Sequence, residues 1–276
     1  MPSLNDELSP RPLAEPRHLA SETQLRVVTW NVQHASPARS RNQAAWLADC
    51  EYADVAVLTE VGHGPGATAL LRALGDHGFH MVCVPPPATR DYTTVIATRT
   101  PNVEAVPVPV DVLPHRISAA RVMVGGRSAT VIGLYVPSRG SAERRNVDKR
   151  AFQDSVTEAL PRLAVEARGP LVITGDLNVV EPGHQPHYAV FGDWEYSFYR
   201  SFIDTGLVDA FRTLHPHDIE HSWYGRAGTG YRFDHTFLST DHQWQLVDCR
   251  YLHSPRFDGL SDHSAMATII AMWTPT

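Results

Sequence analysis

The chain has 276 residues, 43% of them hydrophobic and 20% charged, enough to bury a full core; this excludes a peptide-sized scaffold or a wholly disordered tail. No apolar run approaches the ~18 residues that a membrane span needs, and residues 1–24 are polar and acidic instead of basic then apolar, so a soluble, unexported, cytoplasmic protein is expected. A formal charge of −6 excludes a broadly basic nucleic-acid binder but leaves room for a local basic patch.

Residues 1–24 lack periodicity and carry Pro10, Pro12 and Pro16 among charges, which predicts a flexible leader. The fold is expected to begin at Leu25, with a β-branched strand to Val32, a turn at Ser36-Pro37 and a helix over 41–51. A buried strand, Asp54 to Glu60, ends in a carboxylate; a turn at Gly62–Gly66 then leads into a helix from Ala67 to His77. Phe79–Val84, Tyr92–Thr98, Val103–Val108, Arg116–Val124 and Ser128–Tyr135 read as successive strands. Residues 141–168 have helical spacing, with a break or kink expected at Pro161. Leu171–Thr174 is a short strand, 181–200 a loop, Tyr199–Asp204 a helix, and Tyr231–Ser239 and Ala265–Met272 strands. No repeat or Gly/Ser linker divides the core, which favours one domain over 25–276 with two sheets packed face to face and helices outside.

Cys50, Cys83 and Cys249 are odd in number and too far apart for a Cys-x-x-Cys metal site, so free thiols in a reducing compartment are expected. Lys149 is the only lysine among 24 basic residues.

Metal-capable side chains sit just after buried strands: Asn31, Glu60, Asp176 and Asn178, joined by Asp234 and by Asp262-His263 before the last strand. Any one of these has a plain explanation as a turn former or cap. Together they are costly to bury without a shared partner, and their carboxylate and amide oxygens suit a hard divalent cation, Mg²⁺ or Mn²⁺. No Cys cluster or His-Glu-x-x-His supports a thiolate or zincin site.

Six segments in order carry a resemblance: Thr29-Trp-Asn-Val32, Leu58-Thr-Glu60, Leu134-Tyr-Val-Pro-Ser138, Gly175-Asp-Leu-Asn178, Tyr231-Arg-Phe-Asp234 and Leu260-Ser-Asp-His263. The chain resembles the endonuclease/exonuclease/phosphatase superfamily, and within it the branch of exonuclease III and the abasic-site endonucleases. The resemblance implies an α/β (α+β) fold, a four-layer α/β sandwich of two mixed sheets flanked by helices, and a Mg²⁺-dependent phosphoester hydrolase. It further implies that Glu60 holds the metal with Asn31 and Asp262 in or near its shell. Asp176 would orient or deprotonate the attacking water, Asn178 would position water and phosphate, and Tyr135 would donate to a phosphate oxygen. His263 would bind the phosphoryl oxygens, with Asp234 fixing its tautomer, and Arg232, Arg139 and Trp223 would contact the substrate phosphates.

Two departures bear on this. His34 stands where the family often has Gly, with Gln33 before it, so a second metal position is not implied. The segment between Trp223 and Arg232 is shorter than the duplex-wedging loop of the abasic-site enzymes. Gly206–Pro216 followed by Ser222-Trp-Tyr224 also resembles the exonuclease III branch, while Leu207, Val208, Phe211 and Leu214 read equally as core contacts.

The leading expectation is therefore a nuclease acting on DNA, including abasic-site repair or 3′-end processing. Its rival is a phosphodiesterase or phosphatase for a small phosphoester or lipid head group, and a non-catalytic binding protein is the remote alternative. A serine-hydrolase triad is disfavoured because no Gly-x-Ser-x-Gly elbow exists, and Gly62–Gly66 is a poor dinucleotide loop. The basic run Arg139, Arg144, Arg145, Lys149 and Arg150 reads either as a grip on a phosphate backbone or as a solvated helix face. Nothing in the sequence specifies a protein partner.

Overall fold

A computed structural model describes residues 23–83, 91–139, 143–241 and 243–273. The expected leader therefore lies almost wholly outside the described residues. In chain order the elements are β1 (Thr23–Asn31), α1 (Pro37–Asp49), β2 (Val55–Val61), α2 (Pro65–Asp76), β3 (His80–Cys83), β4 (Thr93–Thr98) and β5 (Val103–Ala105). Then come β6 (Ile117–Val124), β7 (Arg127–Tyr135), α3 (Glu143–Glu166), β8 (Leu171–Asp176), α4 (Asp193–Asp204), β9 (Leu207–Asp209) and α5 (Ala210–Leu214). The last are β10 (Trp223–Tyr224), β11 (Gly230–Tyr231), β12 (Asp234–Ser239), β13 (Trp244–Leu252), α6 (Ser254–Phe257) and β14 (Ala265–Met272).

Two six-stranded mixed sheets form the centre, in the orders β13-β14-β1-β2-β4-β3 and β5-β6-β7-β8-β12-β9. Strand side chains alternate between faces, so each sheet presents one apolar face to the other and one to helices. Leu25, Val27, Val57, Val131, Val172, Leu238 and Ile270 fill the gap between the sheets. Val28, Trp30 and Leu58 pack outward with Leu47, Leu70 and Leu74 of α1 and α2. Ile132, Leu134, Ile173 and Phe237 pack outward with Phe152, Val156 and Phe202 of α3 and α4. The result is the expected four-layer sandwich. No helix among the described residues is long and apolar enough to cross a membrane.

Several boundaries differ from expectation. The first strand starts at Thr23, where pairing with Met272 of β14 already begins. α1 starts four residues early because Ser36 accepts from the Arg39 amide and Pro37 occupies the first turn, where a missing N–H costs nothing. α3 runs through Pro161 without a break, held by Val156, Leu160 and Leu163 in the core. α4 starts at Asp193, inside the expected loop, because Glu195 reaches back to the Gly192 amide at 3.0 Å. The expected strand Tyr231–Ser239 is two elements, β11 and β12. β13 was not anticipated: it is an edge strand whose polar Gln245 and Arg250 face solvent and whose register shifts between Leu246 and Asp248, which blurs its periodicity.

Arg232, expected at the substrate, is fully buried in this scaffold. Its guanidinium is ion-paired with Glu181 and with Asp209, the latter at 2.6 Å, and Arg212 braces Glu181 from the other side at 2.5 Å. Removing Arg232 leaves two buried carboxylates short of a partner. Arg232→Ala is expected to lower the unfolding free energy by roughly 3–5 kcal/mol, read from the urea midpoint at unchanged slope; a shift below about 1 kcal/mol, the worth of a surface pair, would contradict the assignment.

Candidate active site

The same alternation that builds the apolar gap also builds the site. Continuing the inward-facing positions of β1, β7, β8 and β12 to their ends reaches Asn31, Tyr135, Asp176 and Asp234, so all four face the gap where it opens to solvent. Glu60 is out of phase with Val55 and Val57. It enters the cleft because β2 shifts register between Leu58 and Val61 and Glu60 adopts a left-handed backbone, φ 57°. Gln33, His34 and Asn178 are also non-glycine residues with positive φ, at 50°, 31° and 48°. Such conformations are costly away from a site that uses them. Gly175 permits the approach of β7, since a Cβ there would lie 2.0 Å from the Leu134 carbonyl oxygen.

A cleft of about 350 Å³ is lined by Asn31, Glu60, Tyr135, Ser138, Arg139, Asp176, Asn178, Asp262 and His263, with an aromatic wall of Phe191, Trp223, Tyr231 and Phe233. At its floor, ligand-type atoms of Asp176, Asp234 and His263 lie within 4.8 Å of one another, all buried. Asp234 Oδ2 is 2.7 Å from His263 Nδ1, so the outer nitrogen, Nε2, is the one presented to the cleft. Burial alone would lower the His263 pKa, but the carboxylates of Asp234, Asp176 and Asp262 outweigh it and push it up to about 10.

Asp176 is enclosed by donors. Its Oδ1 accepts from the Asn178 amide at 2.9 Å, and its Oδ2 accepts from Asn31 Nδ2 at 2.9 Å and Asn178 Nδ2 at 3.2 Å. Burial, with the Asp234 charge, pushes its carboxyl up to about 7 against the lowering effect of His263 and these donors. Burial and the charges of Glu60 and Asp176 hold Tyr135 well above its ordinary range, so its phenol stays a donor. Asn178 Nδ2 also donates to the Val136 carbonyl at 3.0 Å. Its amide nitrogen is thus spent, and its Oδ1 is the group left for a water.

A cation has oxygens waiting for it. Asp262 Oδ1 is buried and has no hydrogen-bond partner among the described residues, a state expected of a carboxylate that faces an ion; Asp234 Oδ1, beside the charged His263, is likewise without a hydrogen-bond partner. The trio at the floor is the poorer cradle, because His263 is cationic and both Asp176 oxygens already accept hydrogen bonds. Glu60 and Asp262 line the same cleft as Asn31, and each carries one carboxylate oxygen held by a neighbour, His34 or Trp223, and a second oxygen, Glu60 Oε2 and Asp262 Oδ1, left for a hard cation such as Mg²⁺ or Mn²⁺. His34 Nδ1 lies 2.8 Å from Glu60 Oε1 and its ring stacks on Tyr92 at 5.1 Å, which pins the carboxylate.

Of the three expected phosphate contacts, Arg232 is placed elsewhere, while Trp223 and Arg139 line the cleft with their donors partly committed. Arg232 lies behind the site in the Glu181–Asp209 network. Trp223 lines the cleft, but its single donor, Nε1, is committed to Asp262 Oδ2 at 2.9 Å, so it steers that carboxylate instead of a phosphate. Arg139 reaches the cleft wall while its Nη1 is held at 2.5 Å by buried Glu195. Lys149 is buried too, donating to Glu195 at 2.6 Å and to the Asn178 carbonyl at 2.8 Å; it braces the reactive loop and is not available to a phosphate backbone. The side chains of Arg144 and Arg145 lie outside the described residues. Glu195 and the wall residues Phe191, Tyr231 and Phe233 carry no expected role in the sequence, although the Gly192–Glu195 cap spacing marks the first of them.

The sequence profile of the Endonuclease/Exonuclease/phosphatase family matches residues 28–263, from β1 to the site histidine. The chain belongs to this family. An exodeoxyribonuclease of Bacillus subtilis (strain 168) is 30% identical over 135 residues, 43% of this chain and 52% of that protein, so the match spans about half the relative's length. A DNA-(apurinic or apyrimidinic site) endonuclease of Dictyostelium discoideum is 20% identical over 94% of this chain and 73% of its own. Among solved structures, a 3′-5′ exonuclease from Neisseria meningitidis superposes with a TM-score of 0.72 at 24% identity, covering 91% of this chain and 100% of that one. An AP endonuclease from Archaeoglobus fulgidus gives 0.68 at 21%, with 91% and 100% covered. Both share this family member's fold.

Asp234 is what keeps His263 charged in a dry site. In Asp234→Asn, burial then acts unopposed by its nearest carboxylate, and the His263 imidazole resonances are expected to titrate well below the wild-type midpoint of about 10. Equal midpoints in the two proteins would show that Asp234 does not set the charge.

Proposed function

We propose that this family member hydrolyses phosphoester bonds of DNA with a divalent cation, Mg²⁺ or Mn²⁺, processing 3′ ends or abasic sites. The observation that carries the reading is the convergence of buried Asp176, Asp234 and His263 at a cleft that Glu60 and Asp262 also line. The names of the relatives, exonuclease and apurinic-site endonuclease among them, support DNA over other phosphoesters. The cleft continues past Tyr135 into a second cavity of about 450 Å³ that shares Glu60, Tyr135 and Ser138. The three free thiols suit the cytoplasm.

The cation, held by Glu60 and Asp262 with Asn31 beside them, would supply charge to the phosphoryl oxygens as they become more negative. The chain's own groups do the rest. Asn178 Oδ1 accepts from the attacking water and Asp176 takes its proton. A carboxyl raised to about 7 is a better base at neutral pH than an ordinary aspartate. His263, cationic and fixed by Asp234, donates from Nε2 to a phosphoryl oxygen, and neutral Tyr135 donates from its hydroxyl. These donors stabilise the transition state more than the substrate, because negative charge on those oxygens grows during in-line attack. The aromatic wall excludes water from the sugar side.

Asp176→Asn and His263→Ala are each expected to lower kcat on a 3′-phosphate or abasic oligonucleotide by about 10²-fold or more, and EDTA to abolish cleavage. Cleavage that survives both substitutions would place the chemistry elsewhere, and turnover of monoesters with none of DNA would favour the small-substrate reading. The pH profile of kcat/KM should be bell-shaped. Asp176 must be deprotonated, and the cation lowers its titration, so activity rises through a limb at or below about 7. It falls near 10, where His263 loses its proton; the two limbs belong to the coupled pair as a unit. A profile that keeps rising past pH 10 would exclude a cationic His263.

A further inference from the structure

On the outer side of the β10–β11 ribbon, turned away from the cleft, an arginine is clamped between two exposed rings. The Arg256 guanidinium carbon lies 4.5 Å from the ring centre of Tyr224 and 4.7 Å from that of Phe257. Its Nε donates to Ser264 Oγ at 3.0 Å, and His253 Nδ1 meets the same hydroxyl at 2.8 Å. Among the described residues no carboxylate pairs with half-buried Arg256, the nearby Glu220 being engaged with His253 Nε2 at 3.4 Å. Phe257 is 73% exposed and Tyr224 39%. A single exposed ring is ordinary, but two rings holding an uncompensated cation are the chemistry of a base and a phosphate together.

The cluster is built onto the catalytic strands. Tyr224 follows Trp223, which lines the cleft and holds Asp262, and Ser264 follows His263. Trp223 and His263 bridge to each other, and Ser264 donates its amide to the Ser222 carbonyl at 2.8 Å. Neighbours on an extended strand face opposite sides; Trp223 and His263 therefore address the cleft, while Tyr224 and Ser264 address the clamp one strand's thickness away. Inside a duplex both faces of every base are covered by stacked neighbours, so an exposed ring is open to unpaired bases and, of a duplex, only to the last pair of an open end.

Resting on the DNA reading above, we propose that Tyr224, Arg256 and Phe257 form a subsite outside the cleft for an unpaired nucleotide of the bound strand, its base stacked on Phe257 and its phosphate on Arg256. This face therefore adds affinity for single-stranded DNA and much less for blunt duplex.

The test is a fluorescence-polarisation titration of a labelled single-stranded oligodeoxynucleotide, and of a blunt duplex of the same sequence, in an Asp176→Asn background that prevents turnover. Phe257→Ala is expected to weaken single-strand binding by roughly 5- to 150-fold and duplex binding far less, and Phe257→Trp to restore it. Arg256→Ala should reduce the slope of log affinity against log salt by about 0.7 for the single strand. Single-strand affinity unchanged by Phe257→Ala, or lowered equally for duplex, overturns the subsite while leaving the DNA reading intact. A Phe257→Ala protein that changes oligomeric state assigns the ring to a second copy of the chain and also overturns it. Wild-type protein that binds neither DNA yet hydrolyses bis-p-nitrophenyl phosphate removes the DNA reading itself.

Discussion

Two carboxylates and an imidazole buried within 4.8 Å of one another are the constraint on which the rest of the structure depends. Charges in a dry site are expensive unless each is paired, and the fold meets the cost by making His263 a cation beside Asp234 and surrounding Asp176 with amide donors. The arrangement leaves negative potential at the mouth, where Glu60 and the unpartnered Asp262 Oδ1 face the cleft. A cation held there by Glu60 and Asp262 would satisfy that potential and would supply positive charge to a phosphate also met by the His263 imidazolium. The stability problem and the catalytic solution are the same set of charges.

A second ring of charges braces the first. Glu181, Asp209, Arg212 and Arg232 form a buried network behind β12, and Lys149, Glu195 and Arg139 form another beneath the Asn178 loop. Neither needs to touch substrate. Each fixes a backbone segment that ends in a reactive side chain, which is what a site held to fractions of an ångström requires.

Much of this was legible in the sequence because strand alternation is simple. Asn31, Tyr135, Asp176 and Asp234 each end a run of buried residues in phase with the sheet–sheet face, and their order along the chain carried the family resemblance. Glu60 was found by motif alone, since its entry depends on a register shift and a left-handed backbone that no alternation reveals. Arg232 was misplaced because its partners, Glu181 and Asp209, are 51 and 23 residues away. Trp223 lines the cleft as its motif implies, and only the acceptor of its N–H, Asp262 39 residues away, is invisible to local pattern. Lys149 fits neither sequence reading, phosphate grip or solvated face, because Glu195, in a stretch with the composition of a loop, supplies it a buried counter-charge. Local pattern reports which face a residue occupies, and only the folded chain reports which opposite charge awaits it there.

The division of the cleft into a cation wall and a proton-handling floor is tested most directly by titrating Mn²⁺ into the protein and counting free ion by electron paramagnetic resonance. Glu60→Gln should weaken Mn²⁺ binding by about tenfold or more, with Asp234→Asn changing it much less. Unchanged affinity in Glu60→Gln together with a large loss in Asp234→Asn would put the ion on the floor and contradict the account.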